Sequence, residues 1–219
     1  MRRRRVSRRC RNQLLSERYI MPQKMVLPTK GSQLIDKAML GNNISAELDW
    51  SYKVDLDLHC IVKTNEMSVT KEVKVKKLFG SKTEVKALNV KAGETHIYYG
   101  NNRRGSKFSG PCVWITPDQG VGNTGPKAPE VIHFEVPEAV EEALIYCHNF
   151  GTNQPFSTYD GVCTVKVGNF EIEVKLDSDE RKTYCVIAKV IRTSGGLKLI
   201  NINEMVDSSP RLADYSSVQ

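Results

Sequence analysis

Over most of its length this chain alternates apolar and polar side chains with a period of two, and that pattern restricts it to β structure. Residues 54–62 show it best. Val54, Leu56, Leu58, Cys60 and Val62 make an apolar face, and Asp55, Asp57 and His59 make a polar one. Successive side chains of a strand point to opposite faces, so such a run buries one face and leaves the other free for chemistry. Similar runs at 44–50, 112–116, 131–136, 143–150, 162–167, 170–176, 184–191 and 197–201 are bounded by Gly, Pro and Asn, which punctuate strands. Gly168-Asn169 and Ser194-Gly195-Gly196 carry hairpin-turn chemistry. Only 138–143 hints at a helical turn. The expected fold class is all-β: an antiparallel β-sandwich of about 8–10 strands. Its core is expected to include Trp50, Leu56, Leu58, Cys60, Val113, Ile145, Cys147, Val165, Val186 and Val190.

Two segments depart from this pattern. Between Lys63 and Glu94 valines and leucines alternate with eight lysines, which reads as an inserted or edge hairpin whose lysines block edge-to-edge pairing. At the other extreme, residues 1–20 hold eight arginines against the single acid Glu17, while the remaining residues carry 24 basic and 24 acidic groups. The net charge of +7 therefore belongs to the N-terminal segment alone. Arg2, Arg3, Arg4, Arg5, Arg8, Arg9 and Arg11 suit phosphate contacts without sequence preference. An alternative is that translation starts at Met21 and the Arg run is not part of the protein. The expected organisation is a basic, disordered tail over 1–24, one sandwich domain over 25–206 and a flexible, Ser-rich tail over 207–219.

No apolar run reaches membrane-spanning length, and no apolar core follows the basic N-terminus as in a secretory leader. The six cysteines form no C-x-x-C pair. Five lie in strand-like apolar runs, where a free thiol acts as a small core hydrophobe. The expected compartment is therefore the cytoplasm. A P-loop, a dinucleotide fingerprint and a Gly-x-Ser-x-Gly elbow are all missing, which points to a non-enzymatic protein.

The acids carry the strongest chemical signal. Residues two apart on a strand lie about 6.5–7 Å apart on one face, so Asp55 and Asp57 can converge on one cation. Sixty residues later, Pro117-Asp118-Gln119-Gly120-Val121-Gly122-Asn123-Thr124-Gly125-Pro126 offers a third carboxylate and loop carbonyls, and leads to Glu130. Calcium takes six to eight oxygen ligands in irregular geometry, which such a mixture suits. The plainer alternative is a solvent-facing strand and a long turn. His59 extends the same face and leaves a softer metal open.

Five motifs in order resemble the TerD family of tellurium-resistance and chemical-stress proteins, across residues 25–200. They are Lys30-Gly31 with Leu34; Leu48-Asp49-Trp50 followed by Asp55-Leu56-Asp57-Leu58; His96-Ile97-Tyr98-Tyr99-Gly100-Asn101; Asp118 through Gly125 to Glu130-Val131-Ile132; and Tyr146 to Asn149-Phe150. The resemblance implies a cytosolic, calcium-binding β-sandwich that works by binding partners, with Asp55, Asp57, Asp118 and Glu130 as ligands. Lys127-Ala128-Pro129 stand where the family loop is acidic, so one cation is expected rather than two. A related group of sandwiches with D-x-D-L-H and G-P-E motifs fits His59 and Glu130 as well. Two other functions stay open: a phage or virion assembly protein, and a nucleic-acid binder driven by the Arg tail.

Overall fold

A computed structural model describes residues 23–51, 53–77, 80–101, 112–118, 128–150 and 154–219. The chain begins with β1 (Gln23–Val26), β2 (Ser32–Asp36), β3 (Ile44–Asp49) and β4 (Asp55–Thr64). The hairpin strands β5 (Met67–Lys77) and β6 (Gly80–Val90) follow, then β7 (Gly93–Ile97), β8 (Val113–Ile115) and β9 (Glu130–Phe134). Five long or paired strands close the chain: β10 (Val140–Phe150), β11 (Val162–Val167), β12 (Phe170–Lys175), β13 (Tyr184–Thr193) and β14 (Gly196–Val206). One six-stranded sheet has the order β1-β12-β11-β3-β9-β8, the other β2-β14-β13-β10-β4-β7.

The fold is all-β and sandwich-like, as the alternation requires. A single apolar core draws on both sheets: Ala46, Leu48, Ile132 and Val165 from the first, Leu56, Leu58, Ile145 and Cys147 from the second. Fully burying each aliphatic side chain contributes roughly 1.5–3 kcal/mol. All ten residues expected in the interior are buried. The five described cysteines are free and buried among them. No helix among the described residues is long and apolar enough to cross a membrane.

The details differ from expectation in three ways. Among the described residues twelve strands build the two sheets, against the eight to ten expected, and one pair is parallel, β1 with β12. β1 and β2 are outermost strands with mostly exposed or half-exposed side chains. Edge strands need no continuous apolar face, so periodicity signals them poorly. The Lys-rich segment is a hairpin, as expected, but β5 and β6 form a two-stranded sheet of their own. Its base is held by Val90, which is buried, and by Met67, Val69 and Leu88 packed against the core.

The third difference is the C-terminus. Residues 207–219 are not a free tail. A 3-10 turn at Leu212–Tyr215 docks on the outer face of the second sheet, where Leu212 and Tyr215 are buried with Ile61, Leu144, Tyr146 and Val186. Lys189, only 2% exposed, donates to the carbonyls of Tyr215 (2.8 Å) and Val218 (3.1 Å) and pairs with Glu142 at 3.3 Å. A β-bulge adjoins the apolar stripe that receives this segment. The β10–β13 register skips Ile187, between Ala188 opposite Ile145 and Val186 opposite Tyr146. Cys185 and Ile187 precede the slip on the core side, and Ala188 and Val190 follow it there. Val186 is outside by plain alternation, and the inserted residue puts Lys189 outside as well.

Gly196 opens β14 at φ +147°, and a Cβ built there would stand 2.1 Å from the Ile35 carbonyl oxygen and 2.8 Å from the Lys37 nitrogen. Both obstacles are backbone, so the β2–β14 pairing cannot yield cheaply. Gly196→Ala is expected to destabilise the fold by more than about 2 kcal/mol, from strain plus the clash. A urea midpoint within error of the parent's would contradict this.

Candidate functional site

Trp50 anchors the start of β4. Its buried indole donates from Nε1 to the Val54 carbonyl at 2.9 Å. The strand then places Leu56 and Leu58 in the core and turns Asp55, Asp57 and His59 to the outer face of the second sheet. Asp118 arrives from elsewhere, three residues beyond the end of β8, the edge strand of the other sheet. Oxygen atoms of Asp55, Asp57 and Asp118 all lie within 4.8 Å of one another. Asp57 is 4% exposed, Asp55 half-buried and Asp118 exposed.

This crowding has an electrostatic signature. Burial, followed by the charges of Asp55 and Asp118, pushes the Asp57 carboxyl up to about 6. Asp55 is raised by burial and then by Asp118, with His148 pulling it the other way. Three acids in such proximity favour either protonation or a cation.

Glu130 is not in the group that meets within 4.8 Å. Its buried Oε2 accepts the Leu58 backbone N–H at 2.7 Å. β7 ends at Ile97, opposite Cys60, so among the described residues the edge of β4 beyond that point has no strand partner, and the Glu130 carboxylate accepts a backbone N–H there. Of the four acids expected to converge, Asp55, Asp57 and Asp118 meet within 4.8 Å, and Glu130 is engaged in a backbone hydrogen bond beside them. Glu130→Ala is expected to cost about 1–3 kcal/mol by stranding a buried N–H, while leaving any cation-dependent rise in Tm in place. Losing that rise, with the fold intact, would return Glu130 to the ligand set. The Gly120–Thr124 oxygens and Arg2, Arg3, Arg4, Arg5, Arg8, Arg9 and Arg11 lie outside the described residues.

A second group on the same face was not legible in the sequence. β10 runs antiparallel to β4 and sets His148 opposite Asp57 and Tyr146 opposite His59. One ligand atom from each of Asp57, His59 and His148 also falls within 4.8 Å of the others. His59 Nδ1 lies 3.1 Å from His96 Nε2, which lies 2.8 Å from the Tyr146 hydroxyl. Tyr146 stacks on His59 at 4.9 Å between ring centroids, and Tyr184 on His148 at 4.6 Å. Burial first, then His96 and His148, lowers the His59 pKa to about 3. Burial lowers His96 and His148 as well, although His96 keeps part of its surface in solvent. The only sequence signal was His59 at two residues from Asp57. His148 lies ninety residues away, and strand register alone brings it in.

No family model matches the chain, and no curated protein matches it. Among solved structures, it is similar to the crystal structure of a protein of unknown function, SAV2460, at 12% identity and a TM-score of 0.43, over 80% of this chain and 94% of that one. A likeness at that level does not bear on function.

Proposed function

We propose that this protein is a non-enzymatic, calcium-binding β-sandwich module of the TerD type, which serves a chemical-stress response by binding protein partners. The observation that supports this most is the meeting of Asp55, Asp57 and Asp118. Two come from adjacent positions on one strand face and the third from the far end of the other sheet. Holding like charges together is unfavourable unless a counter-ion joins them, and an all-oxygen set is what calcium requires. The partial exposure of Asp55 and Asp118 leaves room for water ligands. Lys127-Ala128-Pro129 reduce the acid available from the loop, so the stoichiometry of this reading is one ion per chain.

Calorimetric titration of the cation-free protein with Ca²⁺ is the test. One equivalent should bind, and Asp55→Asn combined with Asp57→Asn should abolish the binding isotherm. No heat and no change in Tm at millimolar Ca²⁺ would end the calcium reading and leave the TerD resemblance without a functional observation behind it.

A further inference from the structure

We propose that Asp57, His59 and His148 form a second site, for a divalent transition ion of the zinc class. It does not rest on the calcium reading, with which it shares only Asp57. Its donors differ in kind. Two imidazoles and one carboxylate suit Zn²⁺ and its first-row neighbours, whereas calcium and magnesium prefer oxygen alone.

The three ligands sit on adjacent paired strands. Asp57 and His59 are two residues apart on the outer face of β4, and His148 faces Asp57 across the β4–β10 ladder. Their ligand atoms lie within 4.8 Å of one another. A tetrahedral zinc with bonds of 2.0–2.1 Å sets its ligands about 3.3 Å apart.

The independent observation is an orphan. His59 is only 7% exposed, and its Nε2 is buried with no hydrogen-bond partner. A buried polar atom left unsatisfied is unfavourable and is rare in folded proteins. The other nitrogen of the ring is engaged, on His96 Nε2. In the tautomer protonated at Nδ1, His59 donates to His96 and keeps its lone pair at Nε2. That is the arrangement of a metal-bound histidine, whose second nitrogen is held by an outer partner that fixes ring orientation. In that tautomer the Tyr146 hydroxyl, 2.8 Å from the same His96 Nε2, shares that nitrogen's one lone pair with the His59 N–H. The stacked rings of Tyr146 and Tyr184 shield the two imidazoles. Three protein ligands leave at least one position on a zinc-class ion for water or an outside donor.

The experiment is a titration of the cation-free full chain with Co²⁺, a spectroscopic stand-in for Zn²⁺, followed by displacement with Zn²⁺. One equivalent of Co²⁺ should give visible ligand-field bands of nitrogen and oxygen coordination, which Zn²⁺ removes. His148→Ala should weaken binding at least about tenfold, as should His59→Gln, and Glu171→Gln, on the other sheet, should leave it within about twofold. His148 is only half-buried, so its variant keeps the test decisive if the His59 variant does not fold. The proposal is overturned by unchanged Co²⁺ affinity in folded His148→Ala, by sulfur-to-cobalt charge-transfer bands that place the ion on cysteines, or by no binding at 100-fold excess of metal over protein. Loss of Ca²⁺ binding alone would count only against the calcium reading.

Discussion

Asp57→Asn is expected to raise the melting temperature of the cation-free protein at pH 7.5 and to remove its response to Ca²⁺. Both effects follow from one geometry. The folded-state pKa of Asp57 is about 6, against an ordinary 3.8, so folding favours the protonated form. The stabilising contribution of that proton is fully present below pH 3.8 and is lost as pH rises through 6. At pH 7.5 the ionised, cation-free carboxylate therefore opposes folding, and a neutral amide relieves it by about 1–3 kcal/mol. For a chain of this size that is roughly 2–10 °C. The gap between variant and parent should close as pH falls from 6 towards 4, where the parent carboxyl is itself protonated. Comparing the two at each pH cancels the opposing contribution of His59, His96 and His148, whose lowered pKa values weaken the fold as pH falls below 6.5. With Ca²⁺ at a hundredfold excess over its dissociation constant, the parent should gain about 2.7 kcal/mol and the variant almost none. A variant that melts below the parent at pH 7.5 without cation would show that the cluster is not strained by its own charge.

The second large effect concerns the C-terminal segment. Leu212→Ala is expected to cost about 2–5 kcal/mol, the range for emptying a buried leucine site. Truncation after Val206 should cost at least as much. It uncovers Ile61, Leu144, Tyr146 and Val186 together and deprives the Lys189 ammonium of its two carbonyl acceptors. Calorimetric melting measures the first effect, and binding of a hydrophobic dye measures the exposed face of the second. A truncated chain with unchanged Tm and no dye binding would mean that residues 207–219 do not cover the sheet in solution. Because Tyr146 also contacts His96, the truncation should loosen the imidazole cluster.

Much of this protein follows from strictly local rules. Period-two alternation assigns Leu56, Leu58 and Cys60 to the core and Asp55, Asp57 and His59 to the opposite face, whatever their neighbours, because pleating alternates side chains on any strand. The same rule marks the Lys-rich hairpin and the buried cysteines. What alternation cannot encode is which strand lies beside which, and in what register. That tertiary choice sets His148 across from Asp57 and Tyr146 across from His59, and carries Asp118 from one sheet to the end of a strand in the other. It also brings Glu130, from the other sheet, to the Leu58 N–H beyond the end of β7. A single skipped residue, Ile187, turns Lys189 outward, where it donates to the carbonyls of a polar-looking C-terminus beside Ile61, Leu144, Tyr146 and Val186. Side-chain direction is a property of each residue's own backbone and can be read from neighbours one or two positions away. Proximity between residues sixty or ninety positions apart is set by sheet order and bulges, which only the packing of the whole core decides.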